Sequence, residues 1–224
     1  MITSDSSSLD RKLGLFPNKM SGPSTEYKPL HNICEFLNAL HVYTEEARHN
    51  VTRYVEATHL CAHARKDVRQ CLIYDSPEKD ARLIGVEYMI PEHLYKTLPD
   101  DEKRLWHSHD FEVKSGMLVL PKPAGSDPAV WEKAETEAMK EIVGLYGKTW
   151  HFWQVDRGDT LPLGYPVLMG SLTSPKQVDL DKALVYRDKR FGVDHKKKAD
   201  QRAGIEVPMI DPNANYWWKE SDKN

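Results

Sequence analysis

Hydrophobic positions along the chain fall into short blocks whose period changes several times. Between residues 30 and 43, Ile33, Phe36, Leu37, Leu40 and Tyr43 recur every three or four positions, which predicts an amphipathic helix. Cys34, Asn38 and His41 form a second stripe beside its apolar face. Three stretches of strand character follow, at 52–63, 68–74 and 82–90, separated by the polar turn Ala64-Arg65-Lys66-Asp67 and the loop Asp75-Ser76-Pro77. Strands joined by connections this short predict an antiparallel meander and not a parallel sheet.

The remainder alternates helix and strand signals. Pro91 opens a short helical segment to 98, and Pro99 with Asp100 and Asp101 opens another that ends near Trp106. Residues 113–120 read as a strand closed by Pro121 and Pro123. Asp127 and Pro128 are an N-cap and first-turn pair for a long helix over 128–146, stopped by Gly147. A Trp-rich strand is expected at 148–155, an apolar run at 167–172, and a helix over 179–191 ending at Gly192. The prediction is an α+β fold: a single domain over 30–193, with an antiparallel meander sheet flanked by helices. Residues 1–29, rich in Ser, Pro, Gly and Lys without periodicity, read as a flexible arm. Residues 194–224 read as a polar tail wrapping the domain, with Tyr216-Trp217-Trp218 docking as a plug.

Composition narrows the class. A chain of 224 residues is long enough for one large domain with its own core. Its 31 basic and 34 acidic residues are well mixed, giving a net charge of −3, so the basic footprint of a nucleic-acid binder is missing. No apolar run approaches the roughly 20 residues of a transmembrane helix, and residues 1–10 lack the basic and apolar regions of a secretory signal. Lys196-Lys197-Lys198 reads as solvated tail. The three cysteines, Cys34, Cys61 and Cys71, form no CxxC, so a disulfide framework is not expected and a reducing, cytoplasmic location is.

The ten histidines carry the candidate chemistry through their placement. Two clusters stand out, His59-Leu60-Cys61-Ala62-His63 and His107-Ser108-His109-Asp110-Phe111-Glu112. In a strand, alternate residues share a face about 6.6 Å apart, so His107 and His109 can converge on one ion. His59 and His63 would be roughly 13 Å apart by the same rise, so only one of them joins such a site. Two or three imidazoles with Glu112 as fourth ligand, or as general base on metal-bound water, suit a divalent metal, zinc or iron(II). His41, Cys61, Trp106, Trp150, His151 and Trp153 are candidate pocket residues, the tryptophans shaping a wall for an apolar substrate or acyl chain. Cys61 could serve as a soft ligand, but a lone cysteine between apolar neighbours is more often a small buried hydrophobe. No GxGxxG, P-loop, GxSxG, HExxH or CxxCH occurs, which leaves nucleotide binding, serine hydrolysis and haem attachment without support.

The strings Val55-Glu56-Ala57-Thr58-His59-Leu60-Cys61-Ala62-His63, Arg69-Gln70-Cys71-Leu72-Ile73-Tyr74-Asp75 and Leu105-Trp106-His107-Ser108-His109 resemble the oil-body-associated protein family, DUF1264. So do Tyr146-Gly147-Lys148-Thr149-Trp150-His151 and Gln154-Val155-Asp156-Arg157-Gly158-Asp159. The resemblance spans about residues 30–193, and its histidine-bearing strings map onto His41, His59, His63, His107, His109 and His151. Thr58 departs from it, since plant members tend to carry another histidine there. The resemblance implies association with seed oil bodies, with no agreed activity.

Two function classes therefore stand. One is a metal-binding protein, with catalysis on a small-molecule or lipid-like substrate as its fuller form. The other is a non-catalytic lipid-droplet or interaction protein whose histidines are structural. Any droplet contact would be peripheral, because no oleosin-like apolar hairpin is present. A homodimer is compatible with either.

Overall fold

The computed structural model describes residues 28–221. The 1–29 arm lies outside the described residues except for its last two, which open a helical turn, α1 (Lys28–His31). From Ile33 onward the chain forms one compact unit. Its strands are β1 (Ile33–Tyr43), β2 (Tyr54–Arg65), β3 (Val68–Tyr74), β4 (Leu83–Pro91), β5 (His107–Ser108), β6 (Leu145–His151) and β7 (Val167–Gly170). Between and after them run α2 (Thr44–Ala47), α3 (Glu92–Tyr95), α4 (Asp100–Lys103), α5 (Asp110–Lys114) and α6 (Pro128–Ile142). The last four helices are α7 (Leu180–Ala183), α8 (Val185–Phe191), α9 (His195–Gln201) and α10 (Tyr216–Ser221). The fold class is α+β, as the residue pattern predicts.

All strand pairings are antiparallel. The meander β2-β3-β4 forms as expected, with β1 added beside β2, and β6 then pairs with β4 on one side and with β7 on the other, while β7 pairs with β1. Six strands thus close into a barrel, with β5 beside β7 along the same edge of β6. Closure removes sheet edges and creates an interior that side chains must fill.

Two elements differ from the sequence expectation. Residues 33–43 form a strand where a helix was expected. β1 is central and buried on both faces: Leu37 and Ala39 point one way, Leu40 and Val42 the other, toward Met117, Leu172, Leu184 and Trp217. A strand covered on both faces loses its period-two signature, and a helical spacing can emerge by chance. The expected strand at 113–120 is instead the end of α5, a turn at Gly116 (φ +74°) and a single bridge between Val119 and Asn38. Its carbonyls need no sheet partner because arginines take them. Arg187 donates to the carbonyls of Met117 and Gly116, and Arg202 to those of Val113 and Leu118.

The thiol expectation is also corrected. Cys61 and Cys71, direct cross-strand neighbours on β2 and β3, are joined in a disulfide, and Cys34 alone is free. A tight hairpin brings together two cysteines ten residues apart, which spacing by itself does not reveal. Smaller differences concern ends: the long helix stops at Ile142, β6 covers 145–151, and the 179–191 helix is split at Leu184.

The C-terminal segment is part of the core. Trp217 is fully buried against Gly170, whose missing Cβ leaves the space the indole occupies. Trp217→Ala should cost about 3–5 kcal/mol of stability, the cost of emptying a packed aromatic site. Tyr186→Ala, at a position 78% exposed, should stay within about 0.5 kcal/mol. Urea denaturation of both variants checks this, and equal midpoints would show that the tail is only loosely laid on the barrel.

Candidate metal centre

The barrel register decides which side chains meet inside. Leu37, His59, Ile73, Gly85 and His151 form one continuous row across β1, β2, β3, β4 and β6. Glu87 lies two residues beyond Gly85 on the same face, directly between Cys71 of β3 and Thr149 of β6. His41 shares the interior face of β1, four residues beyond Leu37. His107 on β5 pairs with Gly147 of β6, and His109 follows at the N-cap of α5.

These residues surround the Glu87 carboxylate. His59 Nε2 lies 3.0 Å from Glu87 Oε2 and His41 Nε2 lies 3.8 Å from it. On the other oxygen, Oε1, His107 Nε2 is at 3.2 Å and His109 Nε2 at 3.5 Å. His41 and His59 approach each other at 3.0 Å between their Nε2 atoms. All five residues are at most 3% exposed. The donors form two sets that share Glu87: His41, His59 and Glu87, and Glu87, His107 and His109. Within each set the ligand atoms lie no more than 4.8 Å apart.

Hydrogen bonds on the far side of the rings fix which nitrogen faces the carboxylate. His59 Nδ1 is 3.1 Å from the Ala57 carbonyl, and His109 Nδ1 is 2.9 Å from that of Leu145. A carbonyl only accepts, so Nδ1 carries a proton in both rings and Nε2 is the nitrogen that faces Glu87. His151 Nε2, 2.9 Å from His41 Nδ1, holds the His41 ring from its far side. His107 is different: both its ring nitrogens, and Glu87 Oε1, are buried without a hydrogen-bond partner, despite the 3.2 Å approach. The approach is close enough for a hydrogen bond but misses the geometry of one.

Gly147 makes this approach possible. A Cβ there would fall 2.2 Å from Glu87 Oε1 and 2.6 Å from His107 Nε2. The residue that ended a helix in the sequence expectation instead leaves room for two donors.

Burial acts on each ionisable group. It would raise the Glu87 carboxyl, but the close approach of the His107, His109 and His59 rings outweighs it and holds the group well below the usual carboxylate range. Burial, reinforced by the neighbouring His59 and His151 rings, pushes His41 well below 6.5. His151 falls to about 3, again mainly through burial. For His109 burial also lowers the pKa, but the bond to Glu87 and the charge of Glu112 raise it to about 9.

The other expected residues fall elsewhere. His63 is four residues along β2 from His59, and its Nε2 is 4.0 Å from Glu35, half-exposed at the far end of the strand. Glu112 is buried on α5 close enough to influence His109, yet belongs to neither donor set. Cys61 is buried in the disulfide. The tryptophans do not share a wall: Trp106 packs with Tyr95 and Tyr146, and Trp150 lies on the face of β6 opposite His151. Trp153 packs on the main core and donates to the Asp159 carbonyl. Glu87 was missed by the sequence reading. Its signal was a lone carboxylate within the apolar run Ile84-Gly85-Val86-Glu87-Tyr88-Met89-Ile90.

The directions of these shifts set the pH behaviour of chelator-treated protein. The raised His109 contributes stability that is complete below 6.5 and lost as pH rises through about 9. The depressed His41 and His151 act oppositely: below 6.5 the unfolded chain takes up protons that the folded one refuses, and stability falls with pH. The urea midpoint should therefore peak near pH 6.5 and decline on both sides. A flat profile across roughly pH 5 to 9 would count against this account of the cluster.

Comparison with known proteins gives the lineage. The family described as protein of unknown function, DUF1264, matches residues 27–206. The chain is 46% identical over 197 residues to Oil body-associated protein 1A of Zea mays, covering 87% of this chain and 78% of that protein. It is 41% identical over 191 residues to Oil body-associated protein 1B of Arabidopsis thaliana, covering 84% of this chain and 74% of that protein. Identity to Oil body-associated protein 2B of Zea mays is 41% over 173 residues, covering 75% and 66%. No solved structure matches the chain. With its family match running through every histidine of the buried cluster, the chain belongs to the DUF1264 family of oil body-associated proteins.

Proposed function

We propose that the protein binds a divalent transition metal, zinc or iron(II), through His41, His59, Glu87, His107 and His109. The observation that carries this is the convergence of four histidine Nε2 atoms, two of them in rings oriented by backbone carbonyls, on one buried carboxylate. A buried carboxylate ringed by imidazoles needs positive charge beside it, and a metal ion taking the place of the Nε2 protons supplies it. The spacing suits an ion. Donors about 2.0–2.1 Å from zinc in a tetrahedron are about 3.4 Å apart, and the edges of the first set measure 3.0, 3.0 and 3.8 Å. Each set is two imidazoles and one carboxylate, the composition of non-haem iron(II) sites and of zinc sites that keep a position for water.

In this reading His151 orients His41, and Glu112 tunes His109 without binding the ion. A reaction at the centre would require a substrate small enough to enter the barrel, or a movement that opens it, since every donor is buried. Elemental analysis of protein purified without a His-tag is the direct test. Near-stoichiometric zinc or iron is expected, lost by at least tenfold in Glu87→Gln and in His107→Ala, and kept in His63→Ala. Metal content that is absent, or unchanged in all three variants, rejects the reading.

A second reading concerns location, and the names of the relatives favour it. We infer peripheral contact with the surface of stored-lipid bodies, as the oil body-associated relatives are named for. Among the described residues no helix is long and apolar enough to cross a membrane. The loop Leu161-Pro162-Leu163-Gly164-Tyr165-Pro166 supplies an apolar surface, with Leu161, Leu163 and Tyr165 exposed at 60%, 53% and 91%. Flotation with triacylglycerol droplets coated in phospholipid should carry the wild type upward. The triple change Leu161→Ser, Leu163→Ser and Tyr165→Ser should reduce the floating fraction severalfold. Floating that ignores the loop would move the contact elsewhere, and no floating at all would remove it.

A further inference from the structure

We propose that the centre binds two metal ions, bridged by the carboxylate of Glu87. This rests on the metal-binding reading above and adds to it the number of ions and the role of each oxygen. The two histidine pairs address different atoms: His41 and His59 approach Oε2, while His107 and His109 approach Oε1. Ligands on one ion at about 2.1 Å can be no more than about 4.2 Å apart, even when they lie opposite each other. Among the described residues no group of donors within 4.8 Å of one another draws histidines from both pairs. A single ion therefore cannot gather all four imidazoles in this arrangement, whereas one ion per pair satisfies every donor.

Each ion then has two imidazole nitrogens and one carboxylate oxygen, and the oxygen orphaned in the protein alone, Glu87 Oε1, gains its partner together with His107 Nε2. A carboxylate bridging through both oxygens suits ions about 3.5–4 Å apart, the separation of two-ion hydrolytic sites. Gly147 fits this arrangement as well, because any side chain there would occupy the space between Glu87 Oε1 and His107 Nε2. Three protein donors leave room on each ion for water, which distinguishes the centre from a closed structural zinc site.

The test counts ions. Full-length protein is stripped with a chelator, reloaded with Zn²⁺ and examined by native mass spectrometry. Two ions are expected per chain, falling to one in His41→Ala and to one in His107→Ala, because each removes a donor from a different ion. Wild-type saturation at one ion overturns the two-ion proposal and leaves metal binding intact; binding of none overturns both. Two ions retained in both variants also overturns the proposal, because the ions would then be bound elsewhere. If a variant does not fold, the wild type loaded with Mn²⁺ decides the matter by electron paramagnetic resonance. An exchange-coupled spectrum is expected from ions sharing a carboxylate, and the spectrum of isolated ions refutes the bridge.

Discussion

A carboxylate in the middle of a protein is expensive to keep charged. Transfer of such a group from water to the interior costs several kcal/mol even after the surroundings relax, and it stands only where positive charge or donors surround it. Glu87 meets that requirement through side chains from β1, β2, β5 and the N-cap of α5, no two of these segments adjacent to β4 in sequence except by way of the barrel. The barrel is what makes the arrangement possible. β1 and β2 approach from one side of β4 through the meander, and β6 brings β5 up on the other. Opening the sheet between β4 and β6 would strand a charge among apolar neighbours. The histidines and the closure of the barrel therefore depend on each other.

Much of this was legible in the sequence, and the rest was hidden for identifiable reasons. The meander was readable because its turns are short and polar and its strands are rich in apolar and β-branched residues. The His107–His109 pair was visible because residues at i and i+2 of an extended segment share a face, so the two rings could converge. The strand rise alone implied that His59 and His63 could not both join one centre, and it is His59 that points at Glu87. His41 was discounted because β1, buried on both faces, imitates a helix and places that histidine at its edge. Glu87 was passed over for a related reason. A lone glutamate reads as a solvated side chain even within an apolar run, and only the pairing of β4 with both β3 and β6 encloses its face. The disulfide depended in the same way on cross-strand register, which spacing between cysteines does not encode.

The polar C-terminal region looked like a loose end because its composition is that of a surface. It is instead tied into the domain by charged groups on both sides of the contact. Lys114 Nζ donates to the carbonyls of Arg202, Ala203 and Ile205, satisfying the end of α9 and the residues beyond it. Glu135 of α6, itself buried, takes Arg202 and Lys198 and accepts from the Leu120 backbone N–H. A buried pair of this kind adds little net stability, but removing one member leaves an uncompensated charge and is costly. The gain is geometric: three elements distant in sequence are held in one register.

That register reaches the centre. The segment from His109 to Leu120 has no sheet ladder to hold it, and Arg187 and Arg202 fix it by taking the carbonyls of Val113, Gly116, Met117 and Leu118. His109 stands at the start of that segment with its Nδ1 tied to Leu145, so its ring is positioned from one side by β6 and from the other by a helix whose far end the C-terminal arginines clamp. Gly116 admits the close passage of α9, since a Cβ there would lie 2.0 Å from the His195 carbonyl oxygen. The tail thus acts on the centre without contributing a donor to it. Glu87, His41 and His59 stand on paired strands, whereas the segment that begins at His109 depends on side chains from α8 and the end of α9. The two halves of the cluster are therefore supported by different parts of the molecule, one by strand pairing and the other by buried arginines.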